Sequence, residues 1–323
     1  MKEYKRFYHI CDHLLHLAPW DFLGSKDYSQ MFLDIVSNPV LVKVVGDVID
    51  QHFGFIICMK AIQSNYLLSF EENIKEHILS GRRRYQYYLV SYKKYLDMNK
   101  EEKVLIDKFT KVNEEFHYPL IQHFQWNKES HSYNEKELSD INFVLENLFI
   151  LLNCVALGKI TKKKDIREVP TRVYNPKTKL YDNFYLPFVK EMFCITPTFK
   201  VNDKFNTDFL NLNFNSMTVE YDLLFLPLKA NDSLLAVYVL YDLKGDKVLE
   251  MNFVNLSEDR ILSFLNIYLG LVKKFGYFHE VRCRDSLDKI LLESLAISNK
   301  PEFVIKELKN IDNLVEDLVM KYK

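Results

Sequence analysis

Glycine and tryptophan are scarce in this chain, which has 8 glycines and 2 tryptophans among 323 residues. The sequence contains no glycine-rich phosphate loop, no dinucleotide-binding fingerprint and no Gly-x-Ser-x-Gly turn, so it gives no support to enzyme classes that depend on those motifs. It also has no uninterrupted apolar run near the roughly 18 residues that span a bilayer. Residues 1–20 carry Asp12 and three histidines in place of the apolar core of a signal peptide. We therefore predict a cytoplasmic protein without a membrane partner.

Cysteines are few and far apart. An odd number of widely spaced cysteines among apolar neighbours does not suggest a disulfide framework, so we predict a reducing compartment. None of them has a nearby pattern that would activate a thiolate nucleophile. The five are Cys11, Cys58, Cys154, Cys194 and Cys283.

Charge and composition indicate a globular chain with no strong preference for a partner class. The formal net charge of −1 provides no global attraction to nucleic acid or to an anionic membrane. Hydrophobic residues make up 48% of the chain and charged residues 27%, which is typical of a folded protein. The length favours two domains. The abundance of Phe, Tyr, Lys, Asn and Ile is typical of an AT-rich genome, and we predict a bacterial source.

Residues 1–158 are predicted to form an N-terminal α+β domain with an antiparallel sheet and helices. Apolar residues recur at helical spacing over residues 4–17, and short β-prone runs follow as an antiparallel meander. The helix predicted from residue 135 begins with Asn134 and Glu137, the spacing of a capping box. The predicted strands cover residues 31–36, 40–45, 53–59 and 84–92, and the predicted helices cover residues 61–79, 100–112 and 135–157.

Residues 159–217 contain several lysines and four prolines and show no sustained period, so we predict an irregular or β-rich linker there. Residues 218–323 form the predicted C-terminal domain. Three strands come first, followed by a helix that ends at Gly276, a strand, a helix, a strand and a last helix. This order predicts a mixed sheet covered by helices. The strands are predicted over residues 218–228, 234–242, 248–254, 280–284 and 303–306, and the helices over 260–275, 286–296 and 310–322.

Four segments lie at the ends of these predicted elements: Glu220-Tyr221-Asp222, Leu240-Tyr241-Asp242-Leu243-Lys244-Gly245, Lys274-Phe275-Gly276 and Arg284-Asp285. They resemble the integrase and transposase branch of the ribonuclease-H-like fold. One departure is that Ser286-Leu287 follows Asp285, where that branch has Asn-Gly. The resemblance covers about a third of the chain and implies a ribonuclease-H-like sheet in the C-terminal domain.

The chemical hypothesis that goes with this resemblance is a two-metal nuclease or strand-transfer site. It would use Asp222, Asp285 and a carboxylate of the last helix, Glu316 or Asp317. Mg²⁺ and Mn²⁺ prefer oxygen ligands, and two such ions stabilise both the attacking and the leaving oxygen. The alternative is that these acidic residues are structural, as Asp242 would be if it caps a hairpin turn. We predict a fold that persists without a working metal site and without a cofactor, with Mg²⁺ or Mn²⁺ needed only under the nuclease hypothesis.

Most of the chain is also similar to a bacterial two-domain family of unknown function. This similarity implies a fold but no activity. Tyr118 stands where that family has tryptophan, and a nearby glycine-rich stretch is missing. The matching segments are Leu17-Ala18-Pro19-Trp20-Asp21-Phe22-Leu23, the Tyr118-Pro119 turn and Asn134-Glu135, together with the C-terminal segments given above.

Three histidines of the first helix, His9, His13 and His16, are spaced so that they share one face. Two histidines four residues apart can bind Zn²⁺ together, but no glutamate occupies the position that a metalloprotease motif requires. We therefore predict a polar helix face and no metal site.

A basic and aromatic run is the local argument for nucleic acid. Arginines neutralise phosphates and tyrosines stack on unpaired bases, so this composition suits a single strand. The alternative is a strand whose alternate tyrosines enter the core, preceded by a solvated arginine turn. The run begins with Arg82, Arg83, Arg84 and Tyr85 and continues with Tyr87, Tyr88 and Tyr92.

The sequence thus leads to one function hypothesis and two alternatives. We predict a binding or scaffold protein without enzymatic activity, with a degenerate ribonuclease-H-like domain and a protein partner of unknown identity. The first alternative is a divalent-metal-dependent nuclease or strand-transfer enzyme. The second is a single-stranded nucleic-acid binder.

Overall fold

The computed structural model divides the chain into two compact units. The first comprises residues 1–64, 86–124 and 130–194, and the second comprises residues 65–85, 125–129 and 195–323. Helices and mixed sheets occur in both, which confirms the predicted α+β class. The structure describes residues 2–23, 28–34, 39–45, 53–60, 64, 87–110, 112–125, 128–130, 134–162, 167–188, 212–230, 233–254, 260–284, 286–295 and 301–322.

The elements up to residue 188 form an eight-stranded sheet with helices. The strand order is β6-β5-β4-β3-β2-β1-β7-β8. In chain order the elements are α1 (Lys2–Leu17), β1 (Tyr28–Phe32), β2 (Val40–Val45), β3 (Phe53–Cys58), β4 (Tyr87–Lys94), α2 (Lys100–Phe109), β5 (His117–Gln125), β6 (Lys128–Ser130), α3 (Glu135–Ala156), β7 (Glu168–Asn175) and β8 (Leu180–Pro187).

The prediction of an antiparallel sheet is correct for the meander β1 to β5 but wrong where β7 joins β1. Strands β1 to β5 pair antiparallel in succession. Strand β7 runs parallel to β1, with Gln30 opposite Thr171, and β8 pairs antiparallel with β7. A parallel pair requires a long connection. Here the connection contains β2 to β6, and α3 carries the chain back from β6 to β7, since those two strands lie towards opposite edges of the sheet.

Alternating apolar residues form the core of this first sheet. In β2, Val40, Val42 and Val44 are buried in one cluster, and that cluster also contains Ile141 and Leu148 of α3. The predicted capping box of α3 is confirmed, since the Asn134 side chain accepts from Glu137 N and the Glu137 side chain accepts from Asn134 N.

Helix α3 is long and apolar enough, by length and composition, to cross a membrane. Half of its most apolar 18-residue window is buried inside the protein, however. A core helix of a globular protein has the same length and composition, and α3 packs against α1 in this way.

Two stretches of the first unit differ from their predictions. The predicted linker contains the β7–β8 hairpin, which belongs to the first sheet. Its outer strand β8 is mostly exposed, and its sequence LYDNFYLP does not alternate apolar and polar residues, so no period of two indicates a strand there. The predicted Tyr118-Pro119 turn lies inside β5, where Pro119 is opposite Tyr92. The predicted helix 61–79 falls outside the described residues except at Ser64.

The second unit contains a five-stranded mixed sheet in the order β11-β10-β9-β12-β13. The first three strands in sequence are antiparallel, whereas β12 is parallel to β9 and β13 is parallel to β12. The predicted mixed sheet with helices is confirmed. The elements are β9 (Thr218–Ala230), β10 (Ser233–Asp242), β11 (Lys247–Val254), α4 (Arg260–Phe275), β12 (Glu280–Cys283), α5 (Ser286–Ser294), β13 (Glu302–Ile305) and α6 (Lys309–Tyr322).

Helices cover both faces of this second sheet. On one face, the Tyr221 hydroxyl donates to the Phe264 carbonyl of α4 at 2.6 Å. On the other, Leu224 and Leu226 of β9 are buried in one cluster with apolar residues of α6. Helix α4 ends as predicted at Gly276, whose φ of +85° and close approach to a neighbouring backbone carbonyl leave no room for a Cβ.

Candidate functional site

The central strand of the second sheet carries two acidic residues on its α6 face. Residues two apart in a strand point to the same side, so Glu220 and Asp222 face α6 while Tyr221 faces α4. Both acidic residues are buried, and Asp222 has no exposed surface. A buried carboxylate requires a compensating donor or cation.

Arg284 supplies that cation at the end of β12. Its Nε donates to Asp222 Oδ2 at 2.7 Å. Its two Nη atoms donate to the Asp312 carboxylate of α6, at 2.6 Å from Nη2 and 3.2 Å from Nη1. The side chain of Arg284 is 17% exposed, against 0% for Asp222 and 8% for Asp312. One guanidinium therefore joins two buried carboxylates from the first strand and the last helix of the unit.

The network continues to the first turn of α6. The carboxylate of Glu220 accepts from Asn310 Nδ2 and from Ile311 N, each at 3.3 Å. These donors lie at the amino end of the helix, where backbone N–H groups lack helical partners. Burial raises the pKa of Glu220, and the two hydrogen bonds oppose that effect. Glu220 thus ties β9 to the start of α6 and helps to position Asp312.

The predicted catalytic residues Asp222, Asp285 and Glu316 differ in what the structure shows of them. Asp222 is linked to the last helix, but the link is made by Arg284 and reaches Asp312 instead of the predicted Glu316. Glu316 lies one turn further along α6 and is partly buried. Asp285 lies outside the described residues. Among the residues that the structure does describe, no three His, Cys, Asp or Glu side chains form a group that could hold a metal ion.

The donor set around Asp222 does not suit a bridging Mg²⁺ or Mn²⁺ ion. Such an ion needs free carboxylate oxygens on the side where the carboxylates meet. There, Arg284 donates to Asp222 Oδ2 and to both oxygens of Asp312, and Asp222 Oδ1 accepts from Leu223 N at 2.8 Å. The arrangement offsets part of the negative charge and holds three elements together. It offers no open position for a cation between these two carboxylates.

Sequence reasoning missed the roles of Asp312 and Arg284. Asp312 lies four residues before Glu316, in the first turn of α6, so the helical period alone could have proposed it as the alternative carboxylate. Arg284 was recognised only as the neighbour of Asp285. Nothing local in the sequence indicates that its guanidinium turns towards Asp222.

Asp242 has the structural role that was the alternative to catalysis. Its Oδ1 accepts from Lys244 N at 3.1 Å and so caps the turn between β10 and β11. A Cβ added at Gly245 would lie 2.4 Å from Asp242 Oδ2, so a larger residue there would displace the carboxylate that caps the turn.

The nucleic-acid candidate is only partly described. Arg82, Arg83, Arg84 and Tyr85 lie outside the described residues, so their role stays a prediction. Further along β4, Tyr88 and Tyr92 are buried, and the Tyr92 hydroxyl donates to the Cys11 carbonyl at 2.8 Å. The interpretation of alternate tyrosines entering the core is confirmed for these two, and they are not available to stack on bases.

The histidines and cysteines of the first unit differ in accessibility. His9, His13 and His16 are all exposed on α1. Cys11 and Cys58 are buried free thiols, and burial raises the pKa of both. A raised thiol pKa disfavours the thiolate, the form that acts as a nucleophile.

No protein-family model, curated protein or solved structure matches this chain. The resemblances to the ribonuclease-H-like fold and to the bacterial two-domain family accordingly stay predictions.

Proposed function

We propose that this chain is a non-catalytic binding or scaffold protein of the bacterial cytoplasm whose second unit is a degenerate ribonuclease-H-like domain. The fold assignment is supported by the order of elements, three antiparallel strands followed by helix, strand, helix, strand and helix. Fold alone does not imply activity, so the proposal depends on the residues of the site.

The observation that carries the non-catalytic part is the double contact of Arg284. In a two-metal nuclease, the carboxylates of the first strand and the last helix would bind cations. In this chain Asp222 and Asp312 are bound to a guanidinium that occupies their facing oxygens and offsets part of their charge. Releasing them would require Arg284 to leave a site in which its side chain is 17% exposed.

A cleavage assay tests this proposal. The full chain is incubated with labelled single-stranded DNA, double-stranded DNA and an RNA–DNA hybrid in the presence of Mg²⁺ or Mn²⁺. We expect no metal-dependent cleavage or strand transfer. If wild type cleaves and the activity is lost in Asp285→Asn and Glu316→Gln, the nuclease alternative with Asp222, Asp285 and Glu316 replaces the proposal.

A binding assay separates the two partner classes. A mobility shift of labelled single-stranded DNA is measured at low and at high salt, for wild type and for a variant with Arg82, Arg83 and Arg84 changed to Ala. A salt-dependent shift that the variant loses would make single-stranded nucleic acid the partner, since phosphate contacts weaken with salt. Absence of a shift at low salt would remove that alternative and favour a protein partner.

A further inference from the structure

Two histidines of α1 face each other across one helical turn. The Nε2 atoms of His9 and His13 lie 3.2 Å apart, and both side chains are exposed. Their ring centroids are 4.4 Å apart and their planes are inclined at 70°. Side chains four residues apart share one face of a helix, so the backbone of α1 brings these two rings together.

The separation of the two nitrogens fits a shared metal ion. Imidazole binds Zn²⁺ at about 2.0–2.1 Å, so two ligands of a tetrahedral site have nitrogens about 3.3 Å apart. The same separation suits a hydrogen bond between the rings, but that bond needs a proton on one Nε2 atom, whereas a metal uses the lone pairs of both. The hydrogen bond between the rings and a bound metal ion therefore exclude each other, and a titration with metal can distinguish them.

The contacts of the three histidines distinguish His9 and His13 from His16. The ring of His13 packs against Phe149 of α3, with centroids 5.4 Å apart, which restricts its rotation. His16 Nδ1 lies instead 2.8 Å from the carbonyl oxygen of Asp12 and 3.6 Å from its carboxylate. The third histidine of the helix face is thus engaged with its own helix, and it serves as a matched control.

We propose that His9 and His13 form a two-histidine site for a first-row transition-metal ion such as Zn²⁺, Ni²⁺ or Cu²⁺, with water in the remaining positions. Nitrogen ligands favour these ions over Mg²⁺ and Ca²⁺, which prefer oxygen. No third His, Cys, Asp or Glu completes a metal site in the part of the chain that the structure describes, which agrees with two protein ligands.

Isothermal titration of the full chain with Zn²⁺ tests the proposal, with Mg²⁺ as the control ion. The variants are His9→Asn, His13→Asn and the control His16→Asn, and thermal unfolding without metal checks that all three fold like wild type. We expect wild type to bind one Zn²⁺ and not Mg²⁺. Each pair variant should weaken Zn²⁺ binding by about tenfold or more, because the loss of one of two ligands breaks the site, and His16→Asn should change it less than about twofold.

Three results would overturn the assignment. Wild type could fail to bind Zn²⁺ at concentrations up to about 1 mM, which would leave the ring-to-ring hydrogen bond as the explanation of the geometry. Binding could survive in both pair variants, which would place the ion at another of the nine histidines. His16→Asn could weaken binding as strongly as the pair variants, which would exclude a site made by His9 and His13 alone.

Discussion

Among the residues that the structure describes, one arginine in each unit is largely withdrawn from solvent, and the two are compensated in different ways. Arg284 of the second unit binds two carboxylates. Arg172 of the first unit donates from Nε to Asn147 Oδ1 at 2.6 Å and from Nη1 to Asn183 Oδ1 at 2.7 Å. Its guanidinium also lies 4.8 Å from the ring centre of Tyr181. Within the described part of the chain, its hydrogen-bond partners are amides and none is a carboxylate.

This difference shows that a buried cation can be stabilised by opposite charge or by neutral dipoles and an aromatic face. The two solutions respond differently when the arginine is lost, because the groups that remain differ. Without Arg284, two buried carboxylates lose their counter-ion. Without Arg172, two amide oxygens lose a donor but no charge is stranded. Burial lowers the pKa of Arg172, yet an arginine stays protonated at physiological pH.

The largest expected effect is that of Arg284→Met. We expect the free energy of unfolding to fall by about 3–5 kcal/mol, because the change removes the guanidinium that pairs with the buried Asp222 and Asp312. Urea-induced unfolding at pH 7 measures it. The control is Arg282→Met, which removes a pair with Glu280 from a side chain that is 34% exposed and should cost less than about 1 kcal/mol.

A rescue experiment tests whether the stability lost in Arg284→Met is due to the charges of Asp222 and Asp312. Arg284→Met combined with Asp222→Asn and Asp312→Asn removes the stranded charge, so the triple variant should be more stable than Arg284→Met alone. If Arg284→Met costs no more than Arg282→Met, or if the triple variant is the least stable, charge compensation is not what Arg284 provides.

A smaller loss is expected for Arg172→Met, about 1–3 kcal/mol in the same unfolding experiment. The amide oxygens of Asn147 and Asn183 lose their donor, and an unsatisfied neutral acceptor costs less than an unpaired charge. Replacing Asn183 by Leu in the Arg172→Met background should cost less than it does in wild type, because the acceptor is already unpaired. A loss as large as that of Arg284→Met would contradict the distinction between the two networks.

The sequence predicts the strands and the last helix that carry the Arg284 network, but of the Arg172 network it predicts only helix α3, because Arg172 and Asn183 lie in the β7–β8 hairpin within the predicted linker. The sequence predicts a strand over residues 40–45, the bounds that β2 has, because Pro39 and Gly46 flank a run of β-prone residues there. In the second unit, each strand and helix was placed by local period and turn residues. The sequence does not indicate strand β8, because apolar and polar residues do not alternate in LYDNFYLP.

The contacts of Arg284 depend on information that no local pattern carries. Arg284 is 62 residues from Asp222 and 28 residues from Asp312 in the sequence. They meet because β12 lies beside β9 and α6 packs on the same face, which is a property of strand order and not of periodicity. For the same reason, the sequence suggested carboxylates that would share a metal but could not show that an arginine turns towards them.

Glu220, which lies next to Asp222 on the same face of β9, makes the stability of the protein depend on pH. Burial raises the pKa of Glu220 above its unfolded value, so the folded state favours the protonated form. The stability that Glu220 contributes is therefore full at acid pH and is lost as the pH rises through the folded pKa. We expect Glu220→Gln, which cannot ionise, to gain stability relative to wild type between about pH 4 and pH 7.

Urea unfolding of wild type and Glu220→Gln at both pH values measures this gain, which should be smaller than either arginine effect. The control is Glu316→Gln, a partly buried carboxylate of α6. If Glu220→Gln instead becomes more stable relative to wild type as the pH falls, the hydrogen bonds from Asn310 and Ile311 to the Glu220 carboxylate outweigh the effect of burial on its pKa.

The smallest effects are expected for substitutions of Tyr181. Its ring packs against the guanidinium of Arg172, and its hydroxyl donates to Asp34. Tyr181→Phe keeps the ring and loses the hydroxyl, so we expect a loss of about 0.5–1 kcal/mol in the free energy of unfolding. Tyr181→Leu also removes the aromatic face and should cost about 0.5–1 kcal/mol more. If the two variants are equally stable, the ring does not contribute to holding Arg172, and the two amides alone compensate its charge.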